Sequence, residues 1–167
     1  MVELGPSLFA RLNSEQWVGN RKPVIYGQGG ISNSQIADIE RELGFSMPSD
    51  FSYLLRNVRD DGDVFFPWSK FTAAKYKEHI EWVLNGIEFD VDANNLWLHR
   101  WGERPTELSD ALVIVRTDFA KWPRLLPIYG HRFLAAEPCT PGNPVFSIKQ
   151  TDIIYYGSNL AHYLINE

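Results

Sequence analysis

Apolar positions recur at helical spacing over Ile31 to Val58. Ile36, Ile39 and Leu43 form one stripe, and Phe51, Leu54, Leu55 and Val58 form a second at i, i+3, i+4, i+7. Two short one-sided helices are expected, joined by Gly44-Phe45-Ser46-Met47-Pro48. Ser32 with Gln35 three residues on reads as a capping box, Gly44 as a left-handed stop and Pro48 as part of a second first turn. Upstream, Pro6, Gly19, Pro23 and Gly27 punctuate two apolar groups, Leu8-Phe9 and Val24-Ile25-Tyr26, in what reads as an extension over residues 1–29 packed on the domain.

Downstream, Val64-Phe65-Phe66-Pro67-Trp68 has the β-branched and aromatic content of a strand ending at an edge. Tyr76, Ile80, Val83, Leu84 and Ile87 predict a middle helix with Thr72 as cap and Gly86 near its stop. Phe89 to Pro105 is irregular, and regularity returns at Leu112-Val113-Ile114-Val115. Leu125-Tyr129, Val145-Ile148 and Ile153-Tyr156 read as short strands between Gly, Pro and Asn turns, and Gly157-Ser158-Asn159 can cap a closing helix through Leu164. Helices first and strands later, without βαβ alternation, argue a single α+β domain. Its antiparallel multi-stranded sheet would be packed by the helix pair, the middle helix and the C-terminal helix.

The helix pair also carries a resemblance. Ile36 with Ile39-Glu40-Arg41-Glu42-Leu43-Gly44, then Met47-Pro48-Ser49-Asp50-Phe51 and Leu54-Leu55, resembles the opening of the Smi/Knr cell-wall-assembly-regulator domain of the SUKH superfamily. Pro127-Ile128, Gly142 to Ile148, Asp152 and Leu160 to Leu164 resemble that domain's late strands and terminal helix, so the likeness spans Ile31 to Ile165. Many members carry Asn-Gly-Gly after the second helix, where this chain reads Asn57-Val58-Arg59-Asp60-Asp61-Gly62; no role tied to that loop is carried over. For a bacterial member, the resemblance implies an immunity protein that binds and neutralises a cognate polymorphic toxin, often a nuclease. Eukaryotic relatives are implied to regulate cell-wall synthesis and signalling.

Charge and composition narrow the alternatives. The 167 residues suit one domain, and sixteen basic against twenty-one acidic residues give −5, the wrong sign for a chain that neutralises phosphates. An acidic protein can instead mimic phosphates towards a basic nuclease. Ser32 to Asp63 is net −4, with three Arg against seven carboxylates, whereas Trp97 to Arg132 is net +2, with six basic against four acidic residues. The lone Cys139 allows no internal disulfide. With no basic-then-apolar leader and no long apolar run, a cytoplasmic protein without a membrane partner is expected.

Chemical motifs fail on inspection. Asp90, Asp92 and Asn94 mimic a calcium loop, but Asn95 stands at the glycine position and Trp101 at the twelfth; a loop with Asx turns is the better reading. Gly27, Gly29 and Gly30 lack the third glycine and the lysine of phosphate loops, and read as a tight turn before the first helix. His79, His99, His131 and His162 are too scattered for a metal, and Ser158 lacks a nucleophile-elbow glycine. No catalytic residue, metal ligand or cofactor is expected.

The favoured surface is Trp97, Trp101, Arg104, Trp122, Arg124, His131 and Arg132, whose rings and guanidinium groups are the types that dominate interface hot spots. A structural reading stands beside it, with Trp101 closing the core and Arg104 paired to Glu103 or Asp118. Asp152 is expected to brace the last strand. The functional expectation is a non-enzymatic protein-binding module, with small-molecule binding, a nucleotide or sugar stacked on Trp97 or Trp101, as the alternative.

Overall fold

The computed structural model describes residues 3–15, 24–60 and 65–167. Among these, six α-helices, six strands and two short 3-10 turns make the expected α+β fold. The larger sheet is an antiparallel meander, β3 (Leu125–Tyr129), β4 (Arg132–Ala135), β5 (Val145–Lys149) and β6 (Asp152–Gly157), in the order β3-β4-β5-β6.

Both faces of this sheet are covered, because successive side chains alternate across it. Leu126, Ile128, Leu134 and Val145 face one core, with helices α1 (Pro6–Glu15), α2 (Asn33–Leu43), α3 (Ser49–Arg56) and α6 (Leu160–Asn166). Leu125, Phe133 and Ile148 face the other, beneath α4 (Ala73–Ala93) and α5 (Leu108–Phe119). The N-terminal segment is thus part of the first core, through Leu8, Phe9 and Leu12. Its β1 (Val24–Tyr26) also pairs antiparallel with β2 (Val58–Asp60).

Local signals set most helix ends. Ser32 and Gln35 form the reciprocal capping box, Gly44 turns left-handed at φ 75°, and Thr72 and Asn159 each accept a backbone N–H at a helix start. Pro48 sits just before α3 rather than inside its first turn. Val58 leaves the helical stripe for β2, where it pairs with Tyr26.

Three further expectations are corrected. Phe65 to Trp68 is not a strand, and Val64 lies outside the described residues. The Phe66 N–H donates once, to Ile128 O at 2.7 Å, and the chain then tightens into a 3-10 turn at Trp68. Gly86 does not stop α4, which runs on to Ala93; a Cβ there would lie 3.1 Å from the Gln150 Cα, so the glycine admits the β5–β6 turn against the helix. Asp90 and Asp92 lie in the last turns of that helix rather than in a loop.

Asp90 has a definite task. Its carboxylate is buried and accepts the Thr151 N–H at 2.9 Å, the Thr151 hydroxyl and the Asn94 amide at 2.7 Å. It, and not the exposed Asp152, braces the hairpin that leads into β6. Burial pushes this carboxyl up, but the Thr151 and Asn94 hydrogen bonds outweigh it and hold the group below its ordinary value. The bonds require the ionised form. Their stabilisation is therefore complete above pH about 4, the unfolded value, and fades as pH falls through the lower folded one. Asp90→Ala should cost about 2 kcal/mol in urea unfolding at pH 7. The difference from the unmutated protein should shrink in acid; a constant difference down to pH about 3 would remove this role.

Candidate functional site

The chain leaves α4 through Asn95, in the left-handed region at φ 54°, with the Leu96 N–H still bonded to Asp90 O at 3.0 Å. This tight exit delivers Trp97, which donates its indole N–H to Gly102 O at 2.8 Å and closes the 3-10 turn His99–Trp101. Trp101, 9% exposed, inserts between α4 and α5, its ring 5.1 Å from that of Trp97 and inclined to it by 66°. Edge-to-face packing of this kind fixes both rings.

Arginines lock the same corner. Arg104 donates to Val91 O at 2.7 Å and to Asn95 Oδ1, with its guanidinium 5.7 Å from the Trp97 ring. It binds the free carbonyl end of α4 rather than Glu103 or Asp118. Asp118 goes to Arg100, at 2.7 Å. The Arg100 hydrogen bond holds that carboxyl below the usual range, and the Trp122 and Trp101 N–H groups act in the same direction. The Trp101 N–H stops short of full hydrogen-bond geometry and stays buried without a partner. Trp122 packs on Phe119 with ring centroids 5.0 Å apart.

The seven favoured residues therefore fall into three places. Trp97, Trp101, Arg104 and Trp122 share the α4–α5 corner. Arg124 stands at the start of β3, paired with Glu137 and 4.5 Å above the Phe45 ring. Its hydrogen bond pulls the Glu137 carboxyl below its ordinary value. His131 and Arg132 lie at the opposite end of the β3–β4 hairpin, since Leu125 pairs with Ala135 and Tyr129 with Arg132. Arg132 is drawn inward, donating to Ser147 Oγ at 3.1 Å and Glu167 at 3.3 Å beneath the Tyr156 ring. Burial lowers the His131 pKa, and neighbouring Arg132 adds to the effect.

The sequence reading did not choose Arg100, which is 55% exposed and held in place by Asp118. Helix α5 is what brings Asp118 beside the turn, and no local sequence signal marks that pairing. Elsewhere, a cavity of about 340 Å³ opens between α2, α3 and the Trp68 turn, lined among the described residues by Phe51, Leu54, Phe66 and Trp68 with Gln35 and Asp60. Ser158 Oγ lies 3.2 Å from His162 Nδ1, but the Ser158 N–H faces the same nitrogen at 3.3 Å, which makes the pair an extension of the α6 cap. No set of metal-binding side chains converges, and no helix is long and apolar enough to cross a membrane, among the described residues.

Comparison of the chain with protein-family models, curated proteins and solved structures returned no match.

Proposed function

We propose that this chain is a non-enzymatic protein-binding module that acts in the cytoplasm as an immunity protein, occluding a cognate toxin, in line with its resemblance to the Smi/Knr branch of the SUKH superfamily. The observation that carries the binding reading is the α4–α5 corner. There, Trp97 and Arg104 are held rigid from beneath by Trp101 and Val91 O, while Arg100 is fixed by Asp118 and half exposed. Rings and guanidinium groups already ordered lose little entropy on binding, which is what distinguishes a hot spot from an ordinary surface. The net charge of −5 favours a basic partner and speeds encounter with it.

The test is a tagged pull-down from the native host with mass spectrometry, followed by co-expression with any toxin-like C-terminal domain recovered. Protection should be kept by the unmutated chain and weakened at least about tenfold in partner affinity by Arg100→Ala. If nothing binds in cells expressing the neighbouring genes, and no adjacent toxin domain is neutralised, the immunity reading fails.

The cavity beside Trp68 favours a second reading, a small-ligand domain, because its volume lies in the range of ligand sites and its wall is mostly apolar. A thermal-shift screen with nucleotides and sugars decides it. A true ligand at a hundred times its dissociation constant adds about 2.7 kcal/mol, and a flat library rejects the reading.

A further inference from the structure

The two edges of the main sheet are finished differently. Along β3, Tyr76 donates its hydroxyl to Leu125 O at 3.0 Å, Trp68 its indole N–H to Pro127 O at 2.9 Å and Phe66 its backbone N–H to Ile128 O at 2.7 Å. Pro127 also removes one donor from that strand. The β3 edge is closed. At the other end of the sheet β6 has, among the described residues, only β5 as a strand neighbour, and Ile153, Ile154 and Tyr155 are 44%, 49% and 60% exposed.

The free backbone groups of β6 can be assigned. The Ile148 N–H donates to His131 O at 2.8 Å, towards β4, so Ile148 and its partner Ile153 are a pair without mutual hydrogen bonds. By alternation, Ile154 is bonded to β5 while Ile153 and Tyr155 turn their N–H and C=O groups outward. The strand carries no Pro and no Lys, the residues that usually blunt an exposed edge.

We infer that β6 is a homodimer interface, pairing antiparallel with β6 of a second copy about a two-fold axis at Ile154. In this register Ile153 lies opposite the partner's Tyr155 and vice versa. All four outward-facing residues then meet as hydrogen-bonded pairs, and the two sheets join into one. Each such pair sets a β-branched residue against an aromatic one on the same face, a favourable cross-strand combination. An axis at Tyr155 would instead draw in Gly157, beyond the bulge that interrupts the β5–β6 register near Tyr156. Charge fits the same choice. Asp152, the strand's one ionised residue, falls opposite the partner's Tyr156 and not opposite itself, so two copies of an acidic protein meet here without like charges in contact.

A single paired strand buries less than the area of a standard stable interface, which predicts a weak dimer. Sedimentation of the full chain should show reversible dimerisation between about 10 µM and 1 mM. Ile154→Lys, which sets two ammonium groups face to face on the axis, should weaken it at least tenfold.

Register is tested by crosslinking in a Cys139→Ser background, since Cys139 is exposed. Ile154→Cys should oxidise to a disulfide-linked dimer. Ile153→Cys should not, because its counterpart stands two residues along the partner strand, roughly 8 Å away. A monomer at 1 mM would overturn the proposal and leave the edge to an extended segment of another protein. A dimer that ignores Ile154→Lys and crosslinks at neither position would overturn it as well. The inference does not rest on the immunity reading.

Discussion

Trp68→Ala is expected to destabilise the protein by about 3–5 kcal/mol, the cost of removing a large aromatic from a packed interior. Trp68 is 5% exposed and is the hub of an aromatic group, edge-on to Phe51 at 5.5 Å and Phe66 at 4.9 Å, and stacked on Phe71 at 5.7 Å. Its N–H bond to Pro127 O ties this group to the closed sheet edge, so the substitution also strips a donor from a carbonyl. Trp68→Phe should recover much of the packing without the hydrogen bond. Urea unfolding of both variants separates the two contributions, and a loss below about 1 kcal/mol for Trp68→Ala would show that the cluster is not central.

Gly30→Ala is the second severe substitution, with an expected loss of at least about 3 kcal/mol from overpacking. A Cβ at Gly30 would lie 2.1 Å from Leu55 O and 2.3 Å from the Arg56 carbonyl carbon. Those are backbone atoms at the end of α3, and no side-chain rotation can relieve the clash. The Ile31 N–H bond to Leu55 O and the adjoining β1–β2 pairing would have to shift together. Gly44→Ala is the informative comparison. Its Cβ meets nothing within 4 Å, so its cost is the left-handed backbone alone, about 1 kcal/mol. Equal losses at the two glycines in chemical denaturation would contradict the close approach at Gly30.

That contrast also shows what the sequence could and could not convey. The glycine run before α2 was readable as a turn, which fits Gly27 and Gly29 at positive φ, but the demand on Gly30 comes from the loop before α2 and the end of α3 brought together in space. The helix starts that could be read were those announced within a few residues, by Ser32, Thr72 and Asn159. Helix α5 starts at Leu108 behind Glu107, which provides no side-chain cap, and its run Val113 to Val115 is β-branched, so Ala111, Val115 and Phe119 gave too quiet a helical stripe. Strand β4, four residues long, sits among turn residues and offers almost no alternation of its own.

The candidate surface was legible as composition and not as geometry. Trp and Arg at 97, 101, 104 and 122 do converge, yet Arg124 and Arg132 have other partners in the fold. Arg100 became visible only through Asp118, eighteen residues on. Side chains on different elements share a place only after the elements pack.

The two-sided burial of the sheet has a consequence for synthesis. Ile36, Phe51 and Leu54 belong to a core completed by Leu126, Leu134 and Val145 and finally by Tyr163 and Leu164. Translation delivers the helix pair about a hundred residues before its covering surface, an interval of roughly 5–20 s at ordinary elongation rates. Until the sheet is made, the apolar stripes of α2 and α3 have only each other, the N-terminal segment and the Trp68 turn for cover. The nascent chain, rather than the finished protein, is where this fold is most open to chaperones and to aggregation.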